Sequence, residues 1–160
     1  MTTEHSTTAS RATSVERPAT AILLAAGEST RMGRPKPLLP WRGTTLIEYQ
    51  VRELRAAGCA PVILVLGHAA GEVRPTVPAE ATVVVNERYR EGRASSLRAG
   101  AVTVPDGSAA VVVLSVDQPR PRVVIERLLS AQRASPDGIA VPTYDGRRGH
   151  PVVLPGALLP

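Results

Sequence analysis

Leu24-Ala25-Ala26-Gly27-Glu28-Ser29-Thr30-Arg31-Met32-Gly33-Arg34-Pro35-Lys36 follows the apolar run Ala21-Ile22-Leu23-Leu24 and precedes Thr45-Leu46-Ile47-Glu48. The apolar run reads as a buried strand. The second segment has the spacing of a capping box, which opens a helix. A strand, a loop bearing glycines and cations, and a helix in that order predict an α/β unit with a ligand-binding turn. Glycines let backbone amides approach an anion closely, and the cations neutralise it, which suits nucleotide phosphates. Lysine and arginine together number 19, yet Lys36 is the only lysine in the chain. A compact ammonium reaches a phosphate crowded against a turn where the wide guanidinium fork does not fit.

Outward from the loop, strands and helices alternate. Ile47, Val51 and Leu54 recur at helical spacing and Gly58 supplies a stop. Pro61 to Gly67 reads as a buried strand, Thr82 to Asn86 as a third, and Ala109 to Val116 as a fourth that ends at Asp117. Ala69 to Val77 permits at most a short helix, because Gly71, Pro75 and Pro78 interrupt it. Ser95 or Ser96 caps a helix running to about Val102, and Pro121 suits the first turn of one carrying Ile125, Leu128, Leu129 and Gln132. Ile139-Ala140-Val141 and Pro151 to Leu154 are short strands. Continuous apolar strands separated by helices predict a mostly parallel sheet with helices on both faces. Ligands of such sheets bind beyond the carboxyl ends of the strands, where the glycine loop, Asn86 and Asp117 all fall.

Composition narrows the possibilities. The chain has 160 residues, enough for one domain with a sizeable core, and is 43% hydrophobic but only 2% aromatic, so Val, Leu, Ile and Ala fill that core. With no Phe and one Trp, stacking platforms for single-stranded nucleic acid are lacking, and the arginines behind the net charge of +5 are scattered. The charge could suggest a nucleic-acid partner, but an anionic small-molecule substrate accounts for it equally well, and no nucleic-acid partner is expected. The single cysteine, Cys59, excludes an internal disulfide, and His5, His68 and His150 lack metal-ligand spacing. Any metal would use oxygen ligands, as magnesium does. Residues 1–18 read as a disordered Thr- and Ser-rich tail, with 19–160 as the domain. Neither a signal peptide nor a membrane span is apparent, so a cytoplasmic protein without a membrane partner is expected.

The loop fits neither G-x-G-x-x-G nor the P-loop pattern. Leu24-Ala25-Ala26-Gly27-x-Ser29-x-Arg31-Met32-Gly33-x-x-Lys36 instead resembles the MobA-like nucleotidyltransferases, and among them most the molybdenum-cofactor cytidylyltransferases. The resemblance runs from about Thr20 to Leu154. It implies a Rossmann-like three-layer nucleotidyltransferase fold and transfer of a nucleoside monophosphate, with CTP as donor, molybdopterin as acceptor and a molybdoenzyme as recipient of the cofactor. It implies nucleotide contacts from Leu24, Ala25, Ala26, Gly27, Ser29 and Gly33, and catalytic roles for Arg31, Lys36 and Asp117. Relatives that use GTP usually carry Leu-Ala-Gly-Gly, so the methyl of Ala26 favours a pyrimidine. Asp117, in Asp117-Gln118-Pro119, matches the family's metal-binding Asp-x-Pro. Independently of the family, a carboxylate at a strand mouth either holds magnesium or caps the next helix, and the alignment of strand ends favours the metal.

Asn86 and Glu91-Gly92-Arg93-Ala94-Ser95-Ser96-Leu97 form a second segment at a strand end, and its Gly-x-x-Ser-Ser-Leu part resembles a family region that borders nucleotide and acceptor, although the hydroxyls of Ser95 and Ser96 serve equally well as helix caps. Arg148-Gly149-His150-Pro151 resembles the family's Gly-His-Pro element beside the acceptor. Relatives continue past that element to a further acidic residue near the metal, so a domain shortened at its C-terminus is expected here. Two other readings follow. Pro35-Lys36-Pro37-Leu38-Leu39-Pro40 is similar to a segment of sugar-phosphate nucleotidyltransferases, and the missing acid suits an accessory protein that binds nucleotide or cofactor without catalysing transfer.

Overall fold

The computed structural model describes residues 18–28 and 33–159. The tail read over 1–18 lies outside the described residues except for Pro18, as do Ser29 and Arg31. Strand β1 (Ala19–Ala25) leads through the glycine loop to helix α1 (Leu46–Ala56) and strand β2 (Cys59–Leu66). Strand β3 (Ala81–Val85), helix α2 (Arg93–Ala101), strand β4 (Ala110–Ser115), helix α3 (Arg122–Ala134) and strand β5 (Val152–Pro155) follow. They form one sheet in the order β3-β2-β1-β4-β5, parallel except for β5, which runs antiparallel to β4 with Val112 opposite Val153. The predicted α/β, mostly parallel sheet is therefore present.

Each central strand is buried on both faces, which is why it reads as an unbroken apolar run. Ala21, Leu23 and Ala25 point to the layer of α1 and α3, where Ile47, Leu54, Ile125 and Leu129 meet them. Ile22 and Leu24 point to the opposite layer with Ile63, Val65 and Val113, against Leu97 of α2. Burying a side chain of this size stabilises by roughly 1.5–3 kcal/mol. Helix α2 lies close to the sheet because Gly100 has no side chain: a Cβ there would stand 2.8 Å from Ile22 Cγ2 and 3.0 Å from Val65 Cγ2.

Local signals explain most boundaries. Thr45 is the N-cap of α1, its hydroxyl accepts from the Glu48 amide at 3.3 Å, and the Glu48 carboxylate accepts from the Thr45 amide at 3.0 Å. The Thr44 hydroxyl donates to the same carboxylate, and these bonds hold Glu48 below the usual carboxylate range. Gly58, at φ +89°, ends the helix. Cys59 is buried, and burial pushes its thiol up to about 12.

Some expectations need correction. Helix α2 starts at Arg93 with Gly92 as its N-cap and no side-chain cap, so neither Ser95 nor Ser96 caps it. Pro121 is the N-cap of α3 rather than a first-turn residue. The strand expected at Ile139-Ala140-Val141 is a single bridge between Ala140 and Val153, with Ile139 exposed. Two-residue ladders join Pro40–Trp41 with Thr44–Thr45 and Thr143–Tyr144 with Arg147–Arg148, across the turns Arg42-Gly43 and Asp145-Gly146, whose residues all have positive φ. Residues Ala70–Val73 form the short helix permitted there, extended by a 3-10 turn over Arg74–Thr76.

Candidate active site

Successive strands are laid down to one side of β1 as far as β3 and then to the other side from β4, so the order reverses between β1 and β4. The carboxyl ends of strands beside such a reversal diverge and leave a crevice. A cleft of about 280 Å³ opens there, lined by Leu24 to Glu28, Lys36 and Pro37, Tyr89, Gly92 and Arg93, and Ser115 to Asp117.

Each wall has a local cause. The end of β4 is fixed by the Val116 amide, which donates to the Leu24 carbonyl at 2.9 Å. Gln50 of α1, fully buried, donates through Nε2 to the Val116 carbonyl at 2.6 Å. Asp117 therefore leaves a strand end held from two sides. Lys36 opens a 3-10 turn, Lys36–Leu38, anchored by buried Pro37. Its ammonium lies 3.6 Å from Asp117 Oδ2, with both side chains part-exposed at 39% and 48%. The fold thus brings the only lysine of the chain to the carboxylate that ends β4.

On the opposite wall Asn86 is buried, its Nδ2 donating to Ser95 Oγ at 2.9 Å and Ser96 Oγ at 3.0 Å, while its Oδ1 accepts from the Arg88 amide at 3.0 Å. Ser95 Oγ also lies within donating distance of the Arg88 and Gly92 carbonyls, at 2.9 and 2.8 Å. These two serine hydroxyls are turned into the protein, where they shape the turn from β3 to α2. Gly67 keeps this wall close to the glycine loop, since a Cβ there would stand 2.7 Å from both the Ala26 carbonyl oxygen and Tyr89 Cβ. The His68 amide donates to the Ala26 carbonyl at 3.2 Å. Glu28 extends across to Arg90 at 3.1 Å.

The Gly-His-Pro segment reaches the same region by one residue. His150 Nε2 accepts from Arg93 Nη2 at 2.7 Å, and Arg120 Nε donates to the His150 carbonyl at 2.9 Å. A guanidinium has only donors, so the imidazole in that bond is neutral. Burial first, then the charges of Arg93 and Arg120, hold His150 below its usual value, against an opposing pull from Asp117. Gly149 donates its amide to the Pro142 carbonyl at 2.9 Å, and Arg148 stands exposed on the Thr143–Arg148 hairpin. Gly33 is exposed at the far end of the loop with φ +65°. Sequence reasoning included Arg93 in the segment ending at Leu97 without giving it a role, and missed Tyr89 and Gln50. Arg93 and Tyr89 lie in the connection after β3, so their place beyond a strand end was the available signal, whereas for Gln50 it was a polar side chain on the buried face that carries Ile47, Val51 and Leu54.

Among the described residues no three His, Cys, Asp or Glu side chains come together as a metal centre. Both carboxylates lining the cleft are ion-paired, Glu28 to Arg90 at 3.1 Å and the half-exposed Asp117 more loosely to Lys36 at 3.6 Å. That donor set fits a hard cation that brings most of its oxygen ligands with it, as magnesium does on a triphosphate.

A cleft at the reversal point of a parallel sheet, walled by a glycine loop, a lysine and a strand-end aspartate, defines a nucleotide-handling α/β domain. The chain belongs to the MobA-like NTP transferase domain family, whose model matches residues 21–160. It is 38% identical over 151 residues to nicotine blue oxidoreductase of Paenarthrobacter nicotinovorans, covering 88% of this chain and 72% of that protein. It is 29% identical over 135 residues to molybdenum cofactor cytidylyltransferase of Escherichia coli K12, covering 83% and 68%. Of these two the oxidoreductase is the nearer, which the expected ordering of relatives did not anticipate. The crystal structure of Rv0371c from Mycobacterium tuberculosis H37Rv superposes with a TM-score of 0.78 at 33% identity, over 89% of this chain and 74% of that one. The same protein has been solved in complex with manganese, with a TM-score of 0.71 at 30% identity over 88% and 72%. No helix among the described residues is long and apolar enough to cross a membrane.

Proposed function

We propose that the chain is a divalent-metal-dependent nucleotidyltransferase that moves CMP from CTP to a phosphorylated acceptor, molybdopterin cofactor, and releases pyrophosphate. The observation that carries this reading is the meeting of Lys36 and Asp117 at 3.6 Å inside the cleft at the carboxyl ends of β1 and β4. An oxygen of the acceptor phosphate attacks the α-phosphorus in line, and the bond from that phosphorus to the bridging oxygen of the pyrophosphate breaks. The protein's task is to position both partners and stabilise charge. Backbone amides of Leu24 to Gly27 and Gly33 hold base and phosphates, with Ser29 and Arg31 completing the loop. Asn86, Ser95 and Ser96 act by shaping the nucleotide wall. Lys36 leaves Asp117 for the more highly charged triphosphate and counters charge developing near the α-phosphorus. Asp117 would hold magnesium, which neutralises phosphate charge when bound. Arg148, Gly149 and His150 border the acceptor.

The test is pyrophosphate release from CTP, GTP and ATP, each with and without molybdopterin, alongside calorimetric binding of each nucleotide. Acceptor-dependent release with CTP preferred supports the reading. Binding of CTP without any release leaves an accessory binding protein, and release with a sugar phosphate in place of molybdopterin moves the chain to that group. One observation favours a second reading, namely the 38% identity to a protein named as an oxidoreductase. In that case the cleft takes a redox substrate in place of a nucleoside triphosphate. Oxidation of a reduced nicotinamide dinucleotide in the presence of nicotine blue, with no pyrophosphate release from any nucleotide, would establish it.

A further inference from the structure

Asp117 sits in a tight turn, and a residue of α1 grips the middle of that turn. The Gln118 amide donates to the Ser115 carbonyl at 3.0 Å, so Val116 and Asp117 are the two central residues. The carbonyl of Val116 belongs to the peptide that joins them. Gln50 Nε2 donates to that carbonyl at 2.6 Å and lies 3.4 Å from the carbonyl of Ser115. Type I and type II turns differ chiefly in the orientation of this central peptide, and only type II requires positive φ at the third residue. Aspartate enters that region more readily than most residues do. Asp117 is not in it, and a flipped peptide would carry the Val116 carbonyl away from Gln50. A second observation concerns the other end of the amide. Gln50 is fully buried, and its Oε1 has no hydrogen-bond partner among the described residues. Turning the amide over would set Oε1 against two carbonyls, so Nε2 has to face the turn. An orphan buried acceptor destabilises a fold, and an apolar side chain beside Ile47, Val51 and Leu54 would leave none. Packing of α1 therefore does not account for the amide, whereas the turn does.

We infer that Gln50 is a positioning residue: by holding the peptide between Val116 and Asp117 it aims the Asp117 carboxylate into the cleft, toward the metal of a bound nucleotide. The inference rests on the metal role proposed for Asp117 and deepens it. The direction in which a side chain leaves the backbone follows the φ of its own residue, and at Asp117 that φ is tied to the central peptide of the turn. The ion pair to Lys36, at 3.6 Å and part-exposed, is too loose to set this direction. A metal that takes a single carboxylate from the protein depends on the placing of that one group. Partners behind a ligand supply such placing in metal sites generally. Gln50, being fully buried, acts through Asp117 and touches neither nucleotide nor metal.

The experiment uses the full chain with Gln50→Leu, Asp117→Asn and the two combined. Calorimetry measures affinity for the α,β-methylene analogue of CTP with and without manganese, and the ratio of the two affinities is the contribution of the metal. Amide NMR of the chain free of metal and nucleotide reports the turn directly. In Gln50→Leu the metal-free affinity should match the parent, which also shows that the variant folds. The manganese ratio should fall about tenfold to a hundredfold, the range for losing the partner behind a metal ligand. Asp117→Asn should lower the ratio at least as far, and adding Gln50→Leu to it should cost nothing more, because both act through one carboxylate. The Asp117 and Gln118 amide signals should broaden or double in Gln50→Leu as the peptide gains a second orientation. Gln50→Met, unbranched like the parent side chain, should repeat each result. A parent-like manganese ratio in both Gln50 variants, beside a reduced one in Asp117→Asn, would overturn the inference and leave the metal role standing. Additive losses in the combined variant, or unchanged Asp117 and Gln118 amide signals, would overturn it as well. A parent chain with no manganese enhancement, or Asp117→Asn with an undiminished one, would sink the metal role itself and with it the use assigned to Gln50.

Discussion

The two walls of the cleft are held in different ways. The wall after β3 is braced from within: Asn86 bonds to Ser95, Ser96 and the Arg88 amide, and Ser95 reaches back to the Arg88 and Gly92 carbonyls. The described part of the wall after β1 has one backbone tie, from the His68 amide to the Ala26 carbonyl, but its charged side chains are held by ion pairs, Glu28 to Arg90 and Lys36 to Asp117. Buried neutral bonds persist whatever enters the cleft. Part-exposed ion pairs are weak in water and are readily exchanged for a more highly charged partner such as a triphosphate. One wall is therefore a fixed template and the other is a set of charges available to ligand. Substitutions on the first should appear as lost stability, and on the second as lost binding or turnover.

The sharpest break of that contrast is at Lys36. Lys36→Ala should lower the rate of pyrophosphate release about a hundredfold, the scale of one lost charged donor in the transition state. Its denaturation midpoint should hold, because the pair with Asp117 is part-exposed. Lys36→Arg should restore charge but not shape and recover only a fraction of the rate. Full rescue by arginine would mean that the uniqueness of this lysine is an accident of composition.

Asn86→Ala should show the opposite pattern. It removes a buried amide and leaves hydroxyls and a backbone amide to find new partners, a loss of about 2 kcal/mol. Urea denaturation should report this directly. Nucleotide affinity should fall only as far as the wall shifts. A variant with native stability and abolished CTP binding would show instead that Asn86 touches the nucleotide.

Legibility in the sequence follows the same division between local and distant causes. The capping box of α1 was legible because Thr45 and Glu48 are neighbours along the chain, and β1, β2 and β4 because strands buried on both faces are apolar throughout. The antiparallel sense of β5 and the reduction of Ile139-Ala140-Val141 to one bridge depend on Val153, which no local pattern reveals. At the site, the strand-end rule placed Lys36, Asn86 and Asp117 together. It did not show that Ser95 and Ser96 turn inward, since a hydroxyl at a helix start reads the same whether it meets a ligand or an asparagine. Nor did it reveal the bond from Arg93 to His150, which joins segments far apart along the chain.

Acidification should have a smaller effect. The His150 imidazole is held below its usual value, so near pH 6.5 and just beneath it the unfolded chain takes up a proton that the folded chain does not. Stability should be level above about pH 6.5 and decline as pH falls toward the depressed folded value. Protonation also removes the acceptor for Arg93. The decline should be absent in His150→Gln, measured by denaturation midpoint across the same range. A parent chain whose midpoint rises on acidification would have the sign wrong and would mean that the charged imidazole is favoured in the fold.

The smallest expected effect is at Glu28, and it tests whether the ion-paired wall contributes to folding at all. Glu28 and Arg90 meet at 3.1 Å at the cleft, but Arg90 is largely exposed, and each side chain must give up rotamer freedom to hold the pair. Glu28→Gln keeps the size and polarity of the side chain and removes the charge. The denaturation midpoint should not move, at low or at high salt. CTP binding should tighten slightly at low salt, because a negative charge beside the phosphates has gone and Arg90 is released, and the gain should vanish as salt screens both effects. If Glu28→Gln instead unfolds more readily, the pair is structural, and the two walls are not the different kinds of surface their bonding describes.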